Sequence, residues 1–453
     1  MIIPMSTKQK ISFTCNSCAY MSFKWLGCCP ECNEWNTFSE QVSAPIAQGQ
    51  TRSGNIKPAQ LKALDDVPAA PLERMASGIA EWDRVLGGGL VPGSFTIVTG
   101  DPGIGKSTLL LQIANALAQQ QRVIYFSSEE SLEQVGMRAR RVLGTSGTIL
   151  FSDERNIESI IHTAQTERPA LVIIDSIQNC AYTAGQSAPG SIGQLREVSF
   201  RLMSLAKEET IAIIVTGHIT KDGSMAGPKV LEHMVDTVLY VQGEDRFNTR
   251  VLRSVKNRFG SINELGFFAM EAHGMCEVPN INERLLSEVS HSPGSVLVSN
   301  IEGSRPLLLE LQALTIATQF GHPQRVITGV DHKRVVLIAA ILEKYLQVRL
   351  SAHDIFFKVG GGFTCSESSA DLGIALALLA SFFQKPLPEK SIALGEISLT
   401  GTIKPINQIS LHVNEARKFG IQRFYVHRTQ TSSAPGASRG FSHVYELLEL
   451  FPV

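Results

Sequence analysis

Along the chain, short runs that are apolar throughout alternate with stretches of helical period. Residues 94–99, 122–127, 170–176 and 210–217 are β-branched and apolar runs of strand length. Runs without polar alternation belong to strands buried on both faces, as in a parallel sheet covered by helices. Residues 109–119 read as a helix, and 81–86 as another that the triple glycine 87–89 ends. Residues 249–255 alternate, which predicts a strand with basic residues on one side. From about residue 280 the texture changes. Strands are predicted at 294–301, 305–314, 353–359, 391–395, 397–399 and 423–427, with an amphipathic helix over 333–345 and a strongly apolar one over 370–383. Residues 40–65 are rich in Ala, Gln, Ser, Gly and Pro and have no period, as in a linker. The predicted class is α/β, without an internal repeat.

Length and composition narrow this picture. A chain of 453 residues that is 43% hydrophobic is long enough for about two to four domains with real cores. The formal net charge of −1 leaves any nucleic-acid contact to local basic patches. No apolar run reaches the roughly 18 residues that span a membrane. Lys8, Gln9 and Lys10 interrupt the N-terminus where a signal peptide would have its apolar core. The expectation is a cytoplasmic protein without membrane partners.

The chemistry concentrates after the first apolar run. Gly100, Asp101, Pro102, Gly103, Ile104, Gly105, Lys106, Ser107 and Thr108 fit the phosphate-loop pattern G-x-x-x-x-G-K-[ST], between a strand and a helix. Glycines let successive N–H groups turn toward phosphate oxygens, and the helix N-terminus adds positive potential. With ATP or ADP as the nucleotide, Lys106 is expected on the β-phosphate and, in ATP, the γ-phosphate, and Ser107 on Mg²⁺. The apolar run within 170–176 is capped by Asp175, which would face the same Mg²⁺. The strand over 122–127 runs into Ser128-Glu129-Glu130-Ser131. Carboxylates at the end of a parallel strand stand over the nucleotide crevice. Adjacent side chains point differently, so one of the two orients the attacking water. Glu129 is the choice, with Glu130 and Ser131 open to a helix-capping role. His218, at the end of the 210–217 run, can sense the γ-phosphate.

Half of the eight cysteines form two C-x-x-C pairs, Cys15 with Cys18 and Cys29 with Cys32. Four thiolates in two knuckles make a tetrahedral zinc site, whose metal supplies the folding energy of so short a stretch. Cys28 could compete with Cys29. Trp25 and Trp35 flank the second knuckle and either stack on bases or pack around the metal. Basic residues gather in two further places. The loop 221–229 carries Lys221 and Lys229, and the segment 246–258 carries Arg246, Arg250, Arg253, Lys256 and Arg258. These are candidates for DNA contact, or for fingers reaching a neighbouring subunit's nucleotide. The Gly- and Ser-rich stretch 183–193 reads as a second loop.

Taken together these residues resemble the bacterial RadA (Sms) DNA-repair family over essentially the whole chain. The four cysteines, the phosphate loop, Glu129-Glu130-Ser131, the Asp175 strand and His218-x-Thr220-Lys221-Asp222-Gly223 follow in the family's order. Lys256-Asn257-Arg258-Phe259-Gly260 is the family's signature pentapeptide, intact. The resemblance implies a zinc-ribbon-like module at 1–40, a linker at 41–65, a RecA-like ATPase domain with a mostly parallel sheet at 66–279, and a Lon-protease-like domain at 280–453. It implies a DNA-dependent ATPase that binds single-stranded and branched DNA and promotes branch migration with the RecA recombinase, as a homohexameric ring. Lys256 and Arg258 would complete the site from the next subunit. Two other readings stand beside it. One is a RecA-fold nucleotide switch without translocation. The other is a serine peptidase using Ser369, for which the lysine expected after Pro405-Ile406 is replaced by Asn407-Gln408-Ile409-Ser410.

Overall fold

The computed structural model describes residues 11–15, 21–22, 24–30, 34–42, 63, 73–144, 148–182, 191–218, 231–244, 249–262, 264–319 and 321–452. The chain divides into two compact units. One takes Met1–Ala76, Leu90–Thr99 and Ala114–Thr237; the other takes Ser77–Gly89, Gly100–Ile113 and Val238–Val453.

The first unit opens with a small antiparallel sheet. β1 (Ile11–Cys15) lies between β2 (Met21–Ser22) and β3 (Phe38–Val42). Buried Cys15, Cys29 and Phe38, with Phe13 and Leu26 against them, make up its little core. Among the described residues this core is five side chains, which by themselves do not offset the entropy of ordering the module. The larger sheet of this unit is built from β4 (Phe95–Gly100), β5 (Val123–Ser127), β6 (Leu150–Ser152), β7 (Leu171–Asp175) and β8 (Ala212–His218). They lie in the order β4-β8-β7-β5-β6. β5 pairs in parallel with β6 and β7, and β7 with β8. Every residue of β4, β5 and β7 is buried, which is why these strands lack polar alternation. Helices Leu132–Leu143, Ile157–Glu167 and Ile192–Glu209 complete the unit. Ser131 caps the first in a reciprocal box with Gln134, and Ser191 caps the third. The part of the predicted loop at 183–190 lies outside the described residues, whereas 192 and 193 already belong to the helix.

In the second unit the strands β9 (Thr237–Glu244), β10 (Thr249–Asn257), β11 (Leu265–Glu271) and β12 (Gly274–Glu277) lie side by side. β10–β11 and β11–β12 are antiparallel pairs. A further sheet comprises β13 (Ser295–Glu302), β14 (Arg305–Ala317), β15 (Arg325–Thr328), β16 (His353–Val359), β17 (Ser391–Ala393), β20 (Arg423–His427) and β21 (Ala437–Phe441). Its order is β15-β16-β14-β13-β17-β20-β21. Between β17 and β20 in the chain, β18 (Glu396–Ile397) and β19 (Ile403–Lys404) form a short pair of their own. Helix Asp371–Phe382 is buried on nearly all sides, each of its leucines contributing about 1.5–3 kcal/mol of transfer free energy.

One core crosses residue 280. Val251, Leu265 and Phe267 cluster with Val298, Leu309 and the Asp371–Phe382 helix. Polar contacts add to it. Buried Glu81 accepts from Phe267 N and Arg305 Nη1, both at 2.9 Å. Arg253 Nη1 donates to Glu302 Oε2 at 3.0 Å.

Candidate functional site

The phosphate loop leaves β4 and enters helix Lys106–Ala118. Gly100 and Gly105 have φ of 149° and 112°. An added Cβ on Gly100 would sit 2.3 Å from Val241 O, and one on Gly105 would sit 2.5 Å from Met270 Cε. Gly100 therefore requires glycine on steric as well as torsional grounds, whereas Gly105 requires it for its positive φ, the Met270 side-chain end being free to shift. Buried Lys106 turns its Nζ back over the loop and donates to the carbonyls of Gly100 (2.8 Å) and Asp101 (3.0 Å). These bonds hold an ammonium at the helix N-terminus, where phosphate oxygens are attracted. Ser107 follows at the second helical position.

In the other unit, the ends of β5 and β7 meet. Asp175 is buried, and both its oxygens accept hydroxyl donors, from Tyr125 at 2.8 Å and Thr216 at 2.6 Å. The carboxylate is thus fixed in orientation with lone pairs to spare for a metal-bound water. Burial first, then the Asp175 charge, pushes the Tyr125 phenol well above its usual pKa, so it stays a donor. The two neighbouring glutamates separate. Glu129 is exposed and accepts from Ser176 Oγ, the residue next to Asp175. Glu130 is half-buried and ion-paired with Arg138 on the following helix. Tyr125, Thr216 and Ser176 were not singled out in the sequence, where nothing distinguishes them from ordinary strand residues.

The basic segment distributes its charges. Arg250 and Arg253 are three positions apart, so the period of two sends them to opposite faces of β10, not to one side. Arg250 Nε donates to Ile104 O of the phosphate loop at 3.2 Å, and Arg253 is the partner of Glu302. In the pentapeptide, Asn257 is the anchor. It is buried, its Nδ2 donates to Leu86 O at 3.3 Å, and its Oδ1 accepts from Phe259 N at 2.9 Å. Lys256 (half-buried) and Arg258 (exposed) flank it on the other face. Arg246, Lys221 and Lys229 lie outside the described residues.

Of the four thiols, Cys15 and Cys29 are buried together, whereas Cys18 and Cys32 lie outside the described residues. Two buried thiols in a core this small fit a structural metal. Cys28 is half-buried and pairs with Trp35 in an isolated bridge. Trp25 stands edge-on to Phe13 and Phe38, while Trp35 is 73% exposed.

Ser369 lines a cavity of about 380 Å³ with Glu367, Ser368, Glu396, Asn407 and His412. Its Oγ donates to Glu367 Oε2 at 3.2 Å. Burial holds His412 below its usual pKa, and its Nδ1 meets Ser299 Oγ at 2.8 Å. Lys404 instead pairs with Glu396, and Ser410 is exposed. The position of Glu367 and His412 beside Ser369 was not legible in the sequence.

Three stretches of the chain match known protein families. Residues 13–40 match the rubredoxin metal binding domain, 60–224 the AAA domain, and 336–430 the subunit ChlI of Mg-chelatase. The chain is 41% identical over 421 residues to the DNA repair protein RadA of Listeria monocytogenes, covering 92% of each chain. It is 44% identical to that of Halalkalibacterium halodurans and 42% to that of Bacillus subtilis, in each case over 92% of this chain and 93% of the other. Among solved structures, a KaiC-like protein of Pyrococcus horikoshii aligns with 46% of this chain and 100% of its own, at 20% identity and a TM-score of 0.37.

Proposed function

The chain belongs to the DNA repair protein RadA family, with a metal-binding ribbon, a RecA-like phosphate-loop ATPase fold and a Lon-like C-terminal part. From that premise we propose that it is a DNA-dependent ATPase that moves on single-stranded and branched DNA during recombinational repair. The observation that carries this reading is the pentapeptide at Lys256. Its asparagine is buried as an anchor while the two cations beside it are the more exposed, an arrangement suited to a charged partner beyond the chain's own fold.

Hydrolysis of ATP by in-line attack needs positioning and charge neutralisation more than covalent chemistry. Lys106 and the loop amides bind the phosphates. Ser107 and Asp175 would hold Mg²⁺, which would supply charge neutralisation when bound. Glu129 orients the attacking water, a role supported by Glu130 being engaged with Arg138. Lys256 and Arg258 act from the next subunit of a homohexameric ring, coupling turnover to motion along DNA. Arg253, Arg246, Lys221 and Lys229 add to the DNA-facing charge; Arg250 bears on the phosphate loop. Cys15, Cys18, Cys29 and Cys32 hold zinc. The Lon-like part is a scaffold without peptidase activity, the protein works in the cytoplasm, and RecA is its recombination partner.

The test is ATP hydrolysis with and without single-stranded DNA. Stimulation by DNA, lost in Arg258→Ala, is the expected result. DNA-independent turnover with normal nucleotide binding would favour a nucleotide switch.

A further inference from the structure

The β11–β12 hairpin carries donors that the ATPase reading does not use. Glu271 ends β11, His273 lies in the turn, and Cys276 is in β12 opposite Ala269. Cys276 Sγ is 3.1 Å from His273 Nε2, and Glu271 Oε2 is 3.5 Å from the same nitrogen. One donor atom from each of the three lies within 4.8 Å of the others.

Two features distinguish this cluster from a chance hydrogen-bonded group. A relay that activates a thiol needs the sulfur on one ring nitrogen and the carboxylate on the other. Here both converge on Nε2, so the three donors face a common point. The separations also suit a metal. Arms of about 2.0–2.1 Å to N and O and about 2.3 Å to S in a tetrahedron give edges of about 3.3–3.6 Å; the N–O separation of 3.5 Å fits, and the N–S separation of 3.1 Å needs to open by about half an ångström. We propose that Glu271, His273 and Cys276 bind a zinc-class divalent ion, with water as the fourth ligand on the exposed side, and that the ion acts on the phosphate loop.

The route to the loop is short. Met275, next to Cys276, and Met270, next to Glu271, pack beneath Gly105, whose added Cβ would sit 3.3 Å from Met275 Sδ and 2.5 Å from Met270 Cε. Gln112, on the phosphate-loop helix, bonds the main chain of Met275 in both directions, at 2.9 and 3.1 Å. Drawing the three donors onto one ion moves the hairpin against Gly105 and Gln112. This second half rests on reading 100–108 as a nucleotide site; the metal site itself does not.

The test is zinc titration of the full-length protein as purified, with the ribbon's zinc retained. Wild type should take up one zinc more than His273→Ala or Cys276→Ser, and Glu271→Gln should bind that zinc at least about 10-fold more weakly. Equal uptake by wild type and His273→Ala overturns the site. In a second arm, the Kd for labelled ADP is measured with and without the extra zinc. A shift of at least about fivefold in wild type, absent in His273→Ala, is expected. An unchanged Kd in wild type overturns the action on the loop. Failure to bind ADP under any condition would instead refute the nucleotide reading and leave the zinc count standing.

Discussion

Glu129 and Glu130 are adjacent in the chain and differ in what they can do. Glu130 has its charge committed to Arg138, while Glu129 stands exposed beside Ser176 at the end of the Asp175 strand. Glu129→Gln should therefore lower kcat about 10²–10³-fold with KM little changed, because water is positioned mainly in the transition state. Glu130→Gln should cost about 0–1 kcal/mol of stability from its partly exposed ion pair and leave turnover near normal. Steady-state kinetics on both variants checks this, and the reverse result would exchange their roles. Lys106→Ala should weaken nucleotide binding and abolish turnover, as seen in an ADP-binding assay beside the kinetics. Ser369 has a carboxylate beside it and His412, held below its usual pKa, in the same cavity, while Lys404 is paired with Glu396 of that cavity. Ser369→Ala should leave ATP hydrolysis and DNA binding near normal, and wild type should not cleave unfolded protein.

At the scale of elements, β10 and the pentapeptide that ends it divide labour by strand periodicity. Replacing buried Asn257 with Ala removes its bonds to Leu86 O and Phe259 N, which should cost about 1–3 kcal/mol and lower the thermal midpoint. Arg258→Ala, at an exposed position, should cost no more than about 1 kcal/mol of stability yet abolish DNA-stimulated turnover. If Arg258 acts across a subunit boundary, mixing Arg258→Ala chains with Lys106→Ala chains should recover some ATPase. No recovery in confirmed mixed assemblies would place its action within one subunit or on DNA. Alternation over 249–255 predicted a strand, and a strand is there. What it did not reveal is that Arg250 is drawn to the phosphate loop and Arg253 to Glu302, because partners distant in sequence decide where a long side chain goes.

For the whole molecule, the core running through residue 280 is decisive. Deleting residues 280–453 would strip Leu309 and its neighbours from Val251, Leu265 and Phe267, and would leave buried Glu81 without Arg305. Of its cation contacts Glu81 would keep only the longer one to Arg84, at 3.8 Å, and losing the closer partner of a buried carboxylate costs up to about 3–5 kcal/mol. The shortened chain should misfold or aggregate, as size-exclusion chromatography and ADP binding would report. The ribbon should behave differently. Replacing Cys15 and Cys18 with Ser should abolish its zinc, measured as metal per chain, and leave ATP binding largely intact. Full zinc retention would refute the four-cysteine assignment.

The sequence by itself determined the buried parallel strands, the phosphate loop and the cysteine pairs. Each is a local pattern: a strand covered on both faces must be apolar throughout, and a turn around phosphate must contain glycine. The hydroxyls holding Asp175, the parting of Glu129 from Glu130, the anchoring of Asn257 and the donor cluster at His273 were decided only by the tertiary structure. The residues concerned are far apart in the chain, common in type or, for Glu271, His273 and Cys276, brought together by the fold of one hairpin, so only folding gives them their partners. Gly105 shows both levels at once: its place in the loop is read from the motif, whereas the methionines beneath it come from a hairpin more than a hundred and sixty residues away.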